Sequence, residues 1–226
     1  MGPEILVFLE HYDAVYVEIP KVACTSLKVA FAPLVGVDLE ASGGNPHVVD
    51  FPSPPEACGN DGDRLYPGVY AFSFVRNPWD RLLSCYRDKI GGEVDGFANF
   101  TVRPRVADCL AGFDAFFANM SFEEFVKAVA SIPDCVADEH FRSQSTFLMT
   151  ETGKVGVDYV GRYENLENDF RYVSQRIGLP PGIGLPRLQA ARHAANYVNY
   201  YTLETRKIVA DRFREDIETF AYYFGS

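Results

Sequence analysis

Residues Val69-Tyr70-Ala71-Phe72-Ser73-Phe74-Val75 form a nearly continuous apolar run. A strand with one wet face alternates apolar and polar residues. A run without that alternation reads as a strand buried on both faces, the situation of a parallel sheet covered by helices. The chain then continues Arg76-Asn77-Pro78-Trp79-Asp80-Arg81-Leu82-Leu83-Ser84-Cys85-Tyr86. Pro78 suits the first turn of a helix, and Trp79, Leu82, Leu83 and Tyr86 recur at helical spacing. Arg76 therefore falls at the carboxyl end of a strand, with Ser84 two helical turns further on. Ligands of open α/β sheets bind outside the carboxyl ends of the strands. The planar fork of an Arg placed there can donate two bonds to a phosphate.

A second strand end has the same character. Ala14-Val15-Tyr16-Val17-Glu18-Ile19 reads as a strand and leads into Pro20-Lys21-Val22-Ala23-Cys24-Thr25-Ser26-Leu27-Lys28. The first amides of a helix have no intrahelical acceptor, and the helix dipole favours negative charge beside them. Lys21 adds a full positive charge, and Thr25 and Ser26 add hydroxyl donors. The glycine-rich loop that wraps a nucleotide triphosphate is absent, and no glycine occurs between Ile5 and Val35. Taken alone, the segment reads equally as an ordinary connection capped by Thr25 or Ser26.

The two segments together resemble the sulfotransferases. The first is similar to their 5′-phosphosulfate loop and the second to their 3′-phosphate motif, Arg-Asn-Pro-x-x-Arg-Leu-x-Ser-x-Tyr. The form Pro20-Lys21-Val22-Ala23-Cys24-Thr25 resembles the carbohydrate branch (sulfotransferase family 2), which includes the chondroitin 4-O- and HNK-1 enzymes. Tyr159-Val160-Gly161-Arg162-Tyr163-Glu164-Asn165-Leu166 and the segment 201–224 add weaker likeness, so the resemblance covers most of residues 14–224. It implies a three-layer αβα fold with a mainly parallel sheet, like that of the P-loop NTPases. It also implies a single domain over 1–226 with a mostly helical insert around 92–149, set over the acceptor side. The donor implied is 3′-phosphoadenosine 5′-phosphosulfate (PAPS), with the 3′,5′-bisphosphate (PAP) as product and no metal required. Lys21 would bind the phosphosulfate and stabilise the leaving oxygen. Val22, Ala23, Cys24, Thr25 and Ser26 would surround that group, and Arg76 and Ser84 would hold the 3′-phosphate.

An acceptor hydroxyl must lose a proton as it attacks, so a base is expected, and His is the usual choice near neutrality. His47, in His47-Val48-Val49-Asp50-Phe51, lies between the two cofactor motifs and is similar to the His-containing segment of heparan 2-O-sulfotransferases. His140, in Asp138-Glu139-His140-Phe141-Arg142-Ser143-Gln144, is the second candidate. Its segment resembles a His-Trp/Phe-x-x-Gln pattern of the family, without the cysteine pair that follows it there. His11 and His193 read as structural or exposed. Asp50 and Glu164 are carboxylates available as partners. Cys and His are too dispersed along the chain to suggest zinc, and no calcium loop occurs.

With 31 acidic and 21 basic residues the net charge is −10. That argues against nonspecific binding to nucleic acid or anionic lipid, and against a broad basic groove for long sulfated polysaccharides. The expected partner is a carbohydrate or small-molecule acceptor. No apolar stretch is long enough to span a membrane, and Met1-Gly2-Pro3-Glu4 lacks the basic start of a signal peptide. The five cysteines, 24, 58, 85, 109 and 135, are odd in number and scattered. They read as thiols of a reduced cytoplasmic protein, with a Cys109–Cys135 bridge as the minority alternative. A trimmed catalytic domain from the Golgi lumen is the other reading of compartment. The sequons at Asn99 and Asn119 read as chance matches.

Strands are expected at 14–19, 69–75 and 157–163. Helices are expected at 26–34, 78–90, 106–118, 122–131, 138–149, 165–177 and 203–221, with Gly91-Gly92 closing the second and Ser121 to Glu124 forming a capping box. The long irregular stretch 35–66 is of the kind that carries function. Phe97, Phe100, Phe113, Phe116 and Phe117 could line an acceptor, although their spacing also fits core packing. Two other functions fit parts of the pattern: an ATP-dependent small-molecule kinase, and a non-catalytic PAPS- or PAP-binding protein.

Overall fold

The computed structural model describes residues 6–55, 61–90, 106–186 and 197–226. Two compact units share the chain: 1–75 with 144–188, and 76–143 with 189–226. The expected Gly91-Gly92 stop, Phe97, Phe100, the Asn99 sequon, His193 and Cys58 lie outside the described residues.

The first unit holds the sheet. β1 (Leu6–Leu9) and β2 (Ala14–Val17) form an antiparallel hairpin, Leu6 opposite Val17 and Leu9 opposite Ala14, turned at Asp13 in the left-handed region. β3 (Tyr70–Val75) runs parallel to β2, and β4 (Tyr159–Arg162) parallel to β3, so the order is β1-β2-β3-β4. This is an α/β fold with three parallel strands and an antiparallel edge. α1 (Cys24–Phe31) connects β2 towards β3, and α5 (Leu166–Ile177) follows β4. Phe31 of α1 lies 6.0 Å, ring to ring, from both Phe72 of β3 and Phe170 of α5. α1 and α5 therefore cover the same face. Gly161 is forced by this packing, because a Cβ there would sit 2.5 Å from the Phe74 ring. Ser73, the polar break in the apolar run, donates its hydroxyl to the Val17 carbonyl at 2.7 Å. A single helical turn, α4 (Ser145–Leu148), also belongs to this unit. On the outer side of β1 the Phe8 amide donates to the Pro52 carbonyl at 2.8 Å.

The second unit is helical: α2 (Pro78–Lys89), α3 (Phe122–Ala130), α6 (Leu203–Arg212) and α7 (Arg214–Thr219). Trp79, Leu83, Phe116, Phe125, Phe141 and Phe213 belong to its core. The Ser121 capping box is present, with Ser121 Oγ accepting from the Glu124 amide and the Glu124 carboxylate accepting from the Ser121 amide. No described helix is long and apolar enough to cross a membrane.

Several expectations are corrected. Residues 106–118 hold only a short 3-10 turn, Asp108–Leu110, followed by turns. Successive i→i+3 bonds, Phe113 to Leu110 and Phe116 to Phe113, reproduce a three-residue spacing of aromatic residues without an α-helix. Residues 138–149 reduce to the single turn α4. The Asp138 side chain accepts from the His140 amide, a local turn that competes with helix. The last expected helix breaks at Phe213, which is buried with φ −111° and ψ 31°. β1 was not expected, and α1 starts at Cys24 rather than at residue 26.

Candidate active site

The loop from β2 into α1 has an unusual backbone. Lys21 (φ 68°) and Ala23 (φ 54°) both occupy the left-handed region, with Val22 between them at negative φ. A non-glycine residue there costs roughly 1–2 kcal/mol. Alternation of this kind turns successive amides toward one side and makes an anion-binding concavity. Ala23 caps α1 without a side chain, and no side chain caps the helix in its place. The helix ladder begins only with the Leu27 amide, which donates to the Ala23 carbonyl at 3.0 Å. The amides of Cys24, Thr25 and Ser26 therefore lack helical acceptors. Thr25 and Ser26 lie inside the first turn and are not caps, which rules out the ordinary capped connection. Lys21 and Thr25 are half-buried, while Val22, Cys24 and Ser26 are buried.

His47 comes to this loop from 22 residues away: its Nε2 lies 2.9 Å from Thr25 Oγ1. The imidazole is exposed, and its own amide is held by Asn45 Oδ1 at 2.9 Å. Beneath the loop lies a polar layer that sequence reading missed. Lys28 Nζ pairs with the Glu18 carboxylate at 2.7 Å, both side chains buried, and sits 5.5 Å from the centre of the Phe51 ring. The pair thus joins the end of β2, the second turn of α1 and the segment carrying His47. Its sequence signal was slight: an acidic residue closing an apolar strand, with a Lys one helical turn past Cys24. Burial, and then the Glu18 charge, push the Cys24 thiol up to about 11. Cys24 is a protonated, packed thiol.

In the second unit Arg76 is buried, and its Nε donates to Asp80 Oδ2 at 2.7 Å, which fixes the plane of the guanidinium. Asn77 caps α2, its side-chain oxygen accepting from the Trp79 amide at 3.1 Å, while its Nδ2 donates to the Tyr223 carbonyl at 3.0 Å. Ser84 is half-buried on α2. Arg81, fully enclosed, donates to the carbonyls of Arg142 (2.6 Å) and Glu139 (3.0 Å). It thereby anchors the turn carrying His140, whose Nδ1 lies 2.7 Å from Asp138 Oδ1.

The structure thus brings Lys21, Thr25, Ser26 and His47 into one unit, and Arg76, Ser84 and His140 into the other. Asp50, Glu164 and His11 are exposed. Phe113 and Phe116 pack against core rings, Phe116 lying 5.5 Å from Phe125, whereas Phe117 is half exposed. Cys109 and Cys135 are both free thiols, so the alternative of a bridge between them is set aside.

The sulfotransferase family profile matches residues 5–223. Carbohydrate sulfotransferase 14 of Danio rerio is 30% identical over 199 residues, covering 82% of this chain and 51% of that protein. The Homo sapiens protein of the same name is 28% identical, covering 80% of this chain and 48% of its own length. An uncharacterized protein of Archaeoglobus fulgidus is 34% identical over 119 residues, covering 53% of this chain and 76% of its own. The chain spans about half the length of the vertebrate relatives it matches. No solved structure matches it. The family profile runs through both strand-end segments and nearly the whole chain, and the chain belongs to the sulfotransferase family.

Proposed function

We propose that this chain is an enzyme that transfers a sulfuryl group from PAPS to a hydroxyl of a carbohydrate or glycosylated metabolite. The observation that carries the reading is the uncapped start of α1, where Lys21 and Ala23, neither of them glycine, hold left-handed backbone. The vertebrate relatives are named carbohydrate sulfotransferases, which supports a sugar acceptor.

The residues fit the donor. Free helix amides, two hydroxyls and a Lys suit a phosphosulfate. A guanidinium fixed by Asp80, with the Ser84 hydroxyl on the same helix, suits a 3′-phosphate. PAPS supplies the sulfuryl group, and the protein's part is positioning and charge stabilisation. Lys21 neutralises the bridging oxygen as its bond to sulfur breaks. His47 takes the acceptor proton as the new oxygen–sulfur bond forms. The Glu18–Lys28 pair and Phe51 hold the His47 segment against α1. His140, oriented by Asp138, is the second candidate base. Cys24, Cys85, Cys109 and Cys135 are not in disulfides, which supports a reducing compartment such as the cytoplasm.

A thermal-shift comparison tests the donor, because a ligand of the native state raises the melting temperature by mass action. PAP should stabilise the protein, and ATP with magnesium should not; the reverse result makes it a kinase. PAPS with a panel of sugars and glycosides should then release PAP. Binding without turnover across the panel would make it a PAP-binding protein. His47→Ala should lower kcat and remove the acidic limb of the pH–rate profile. Retention of both would move the base to His140.

A further inference from the structure

Cys109, Asp138 and His140 converge in the second unit. The Cys109 sulfur, an Asp138 carboxylate oxygen and an imidazole nitrogen of His140 all lie within 4.8 Å of one another. The supporting backbone is well fixed. The Ala107 amide, just before the turn that carries Cys109, donates to the Lys89 carbonyl at the end of α2 at 3.0 Å. The Asp138 carbonyl accepts from the Arg142 amide at 2.9 Å, and the Arg142 guanidinium donates to the Ala137 carbonyl at 3.0 Å. Arg81 holds the same turn from below through the carbonyls of Glu139 and Arg142. Asp138 Oδ1 lies 2.7 Å from His140 Nδ1, a pair that one ion would bridge in place of the shared proton, and it accepts from the His140 amide at 3.0 Å.

We propose that Cys109, Asp138 and His140 form a binding site for Zn²⁺ or a chemically similar divalent transition metal, with the remaining position left to water. One sulfur, one nitrogen and one oxygen make a borderline-soft donor set. That set suits zinc or cobalt, whereas calcium and magnesium favour oxygen alone. Three protein ligands with an open fourth position is a common zinc arrangement. Two other readings of the cluster fare worse. Cys135 is also a free thiol, so no disulfide uses Cys109. Burial pushes the Cys109 thiol upward, opposite to what an activated nucleophile needs.

A second trio, Glu18, Cys24 and His47, is equally close. Its carboxylate is already paired with Lys28 at 2.7 Å, so it is the poorer site. No sequence spacing marked the Cys109 trio, because its cysteine and its two other ligands lie in separate turns. Metal ligation by His140 leaves proton transfer to His47.

Cobalt titration of the reduced, metal-free full chain tests the site. One equivalent of Co²⁺ should produce a thiolate-to-cobalt charge-transfer band, and one equivalent of Zn²⁺ should abolish it. Cys109→Ser should lose the band, and Asp138→Asn and His140→Gln should weaken binding at least about tenfold. Cys24→Ser should keep the band. Zn²⁺ should raise the melting temperature of the parent chain and not that of Cys109→Ser, whose metal-free melt should match the parent. Absence of the band at stoichiometric cobalt, or its persistence in Cys109→Ser, overturns the proposal.

Discussion

The two strand-to-helix junctions solve the same local problem in opposite ways. At α2 the junction is closed. Asn77 caps the first turn, Pro78 removes one amide that would lack a partner, and Asp80 holds Arg76. At α1 the junction is left open. No side chain caps it, and Lys21 and Ala23 are held in a backbone region that costs free energy. At the closed junction the Trp79 amide is taken by Asn77 and Pro78 has none to offer. The open one leaves the amides of Cys24, Thr25 and Ser26 without helical acceptors, and the strain at Lys21 and Ala23 accompanies that arrangement. The difference matches the proposed division of labour, with the reacting phosphosulfate at α1 and the recognition phosphate at α2.

Lys21→Ala should lower turnover about 100- to 1,000-fold while leaving the melting temperature near that of the parent; a variant that kept full activity would remove Lys21 from the chemistry. Arg76→Lys keeps the charge and loses the planar fork. It should weaken PAP binding about 10- to 100-fold, as expected for losing a charge-assisted bond of about 1.5–3 kcal/mol. Equal affinity in a calorimetric titration would show that the fork is not used. Asn77→Ala should destabilise the protein by about 1–2 kcal/mol in urea, since it removes a cap and a buried donor. Ala23→Gly should stay within about 1 kcal/mol of the parent, because glycine relieves the left-handed strain that its added chain freedom offsets. Ala23→Gly matching the loss in Asn77→Ala would end the contrast between the junctions. The smallest effect concerns Cys24. Its thiol stays protonated until the pH approaches about 11. Iodoacetamide at mildly alkaline pH should therefore spare Cys24 in the native protein, and rapid labelling there would mean that the loop opens.

β3 and α2 were legible because each signal was local. Residues 69–75 lacked alternation, and Pro78 marked a helix start that the structure places at Pro78. The Ser121 to Glu124 box was legible for the same reason. The open junction was half legible. Its residue types suggested an anion seat, but the backbone of Lys21 and Ala23 left no trace, since the usual signal for left-handed backbone is glycine. The phenylalanines at 113 and 116 misled, because a chain of three-residue turns and a helix place side chains at nearly the same spacing. β1 was missed because Leu6–Leu9 gains its identity from pairing with β2. The contacts of His47 with Thr25, of Lys28 with Glu18, and of Cys109 with Asp138 and His140 depend on how distant turns meet. No window along the chain contains them.

β1 has one strand neighbour among the described residues, and such an edge is where other chains attach. The Pro52 carbonyl occupies the outward amide of Phe8. Pro52, Pro54 and Pro55 bring no amide hydrogens with which to extend a ladder. The loop that presents His47 is thus also a guard against self-association. Lengthening it to admit a bulkier acceptor at the proposed site would loosen that guard, and such redesigns should be screened for solubility before activity.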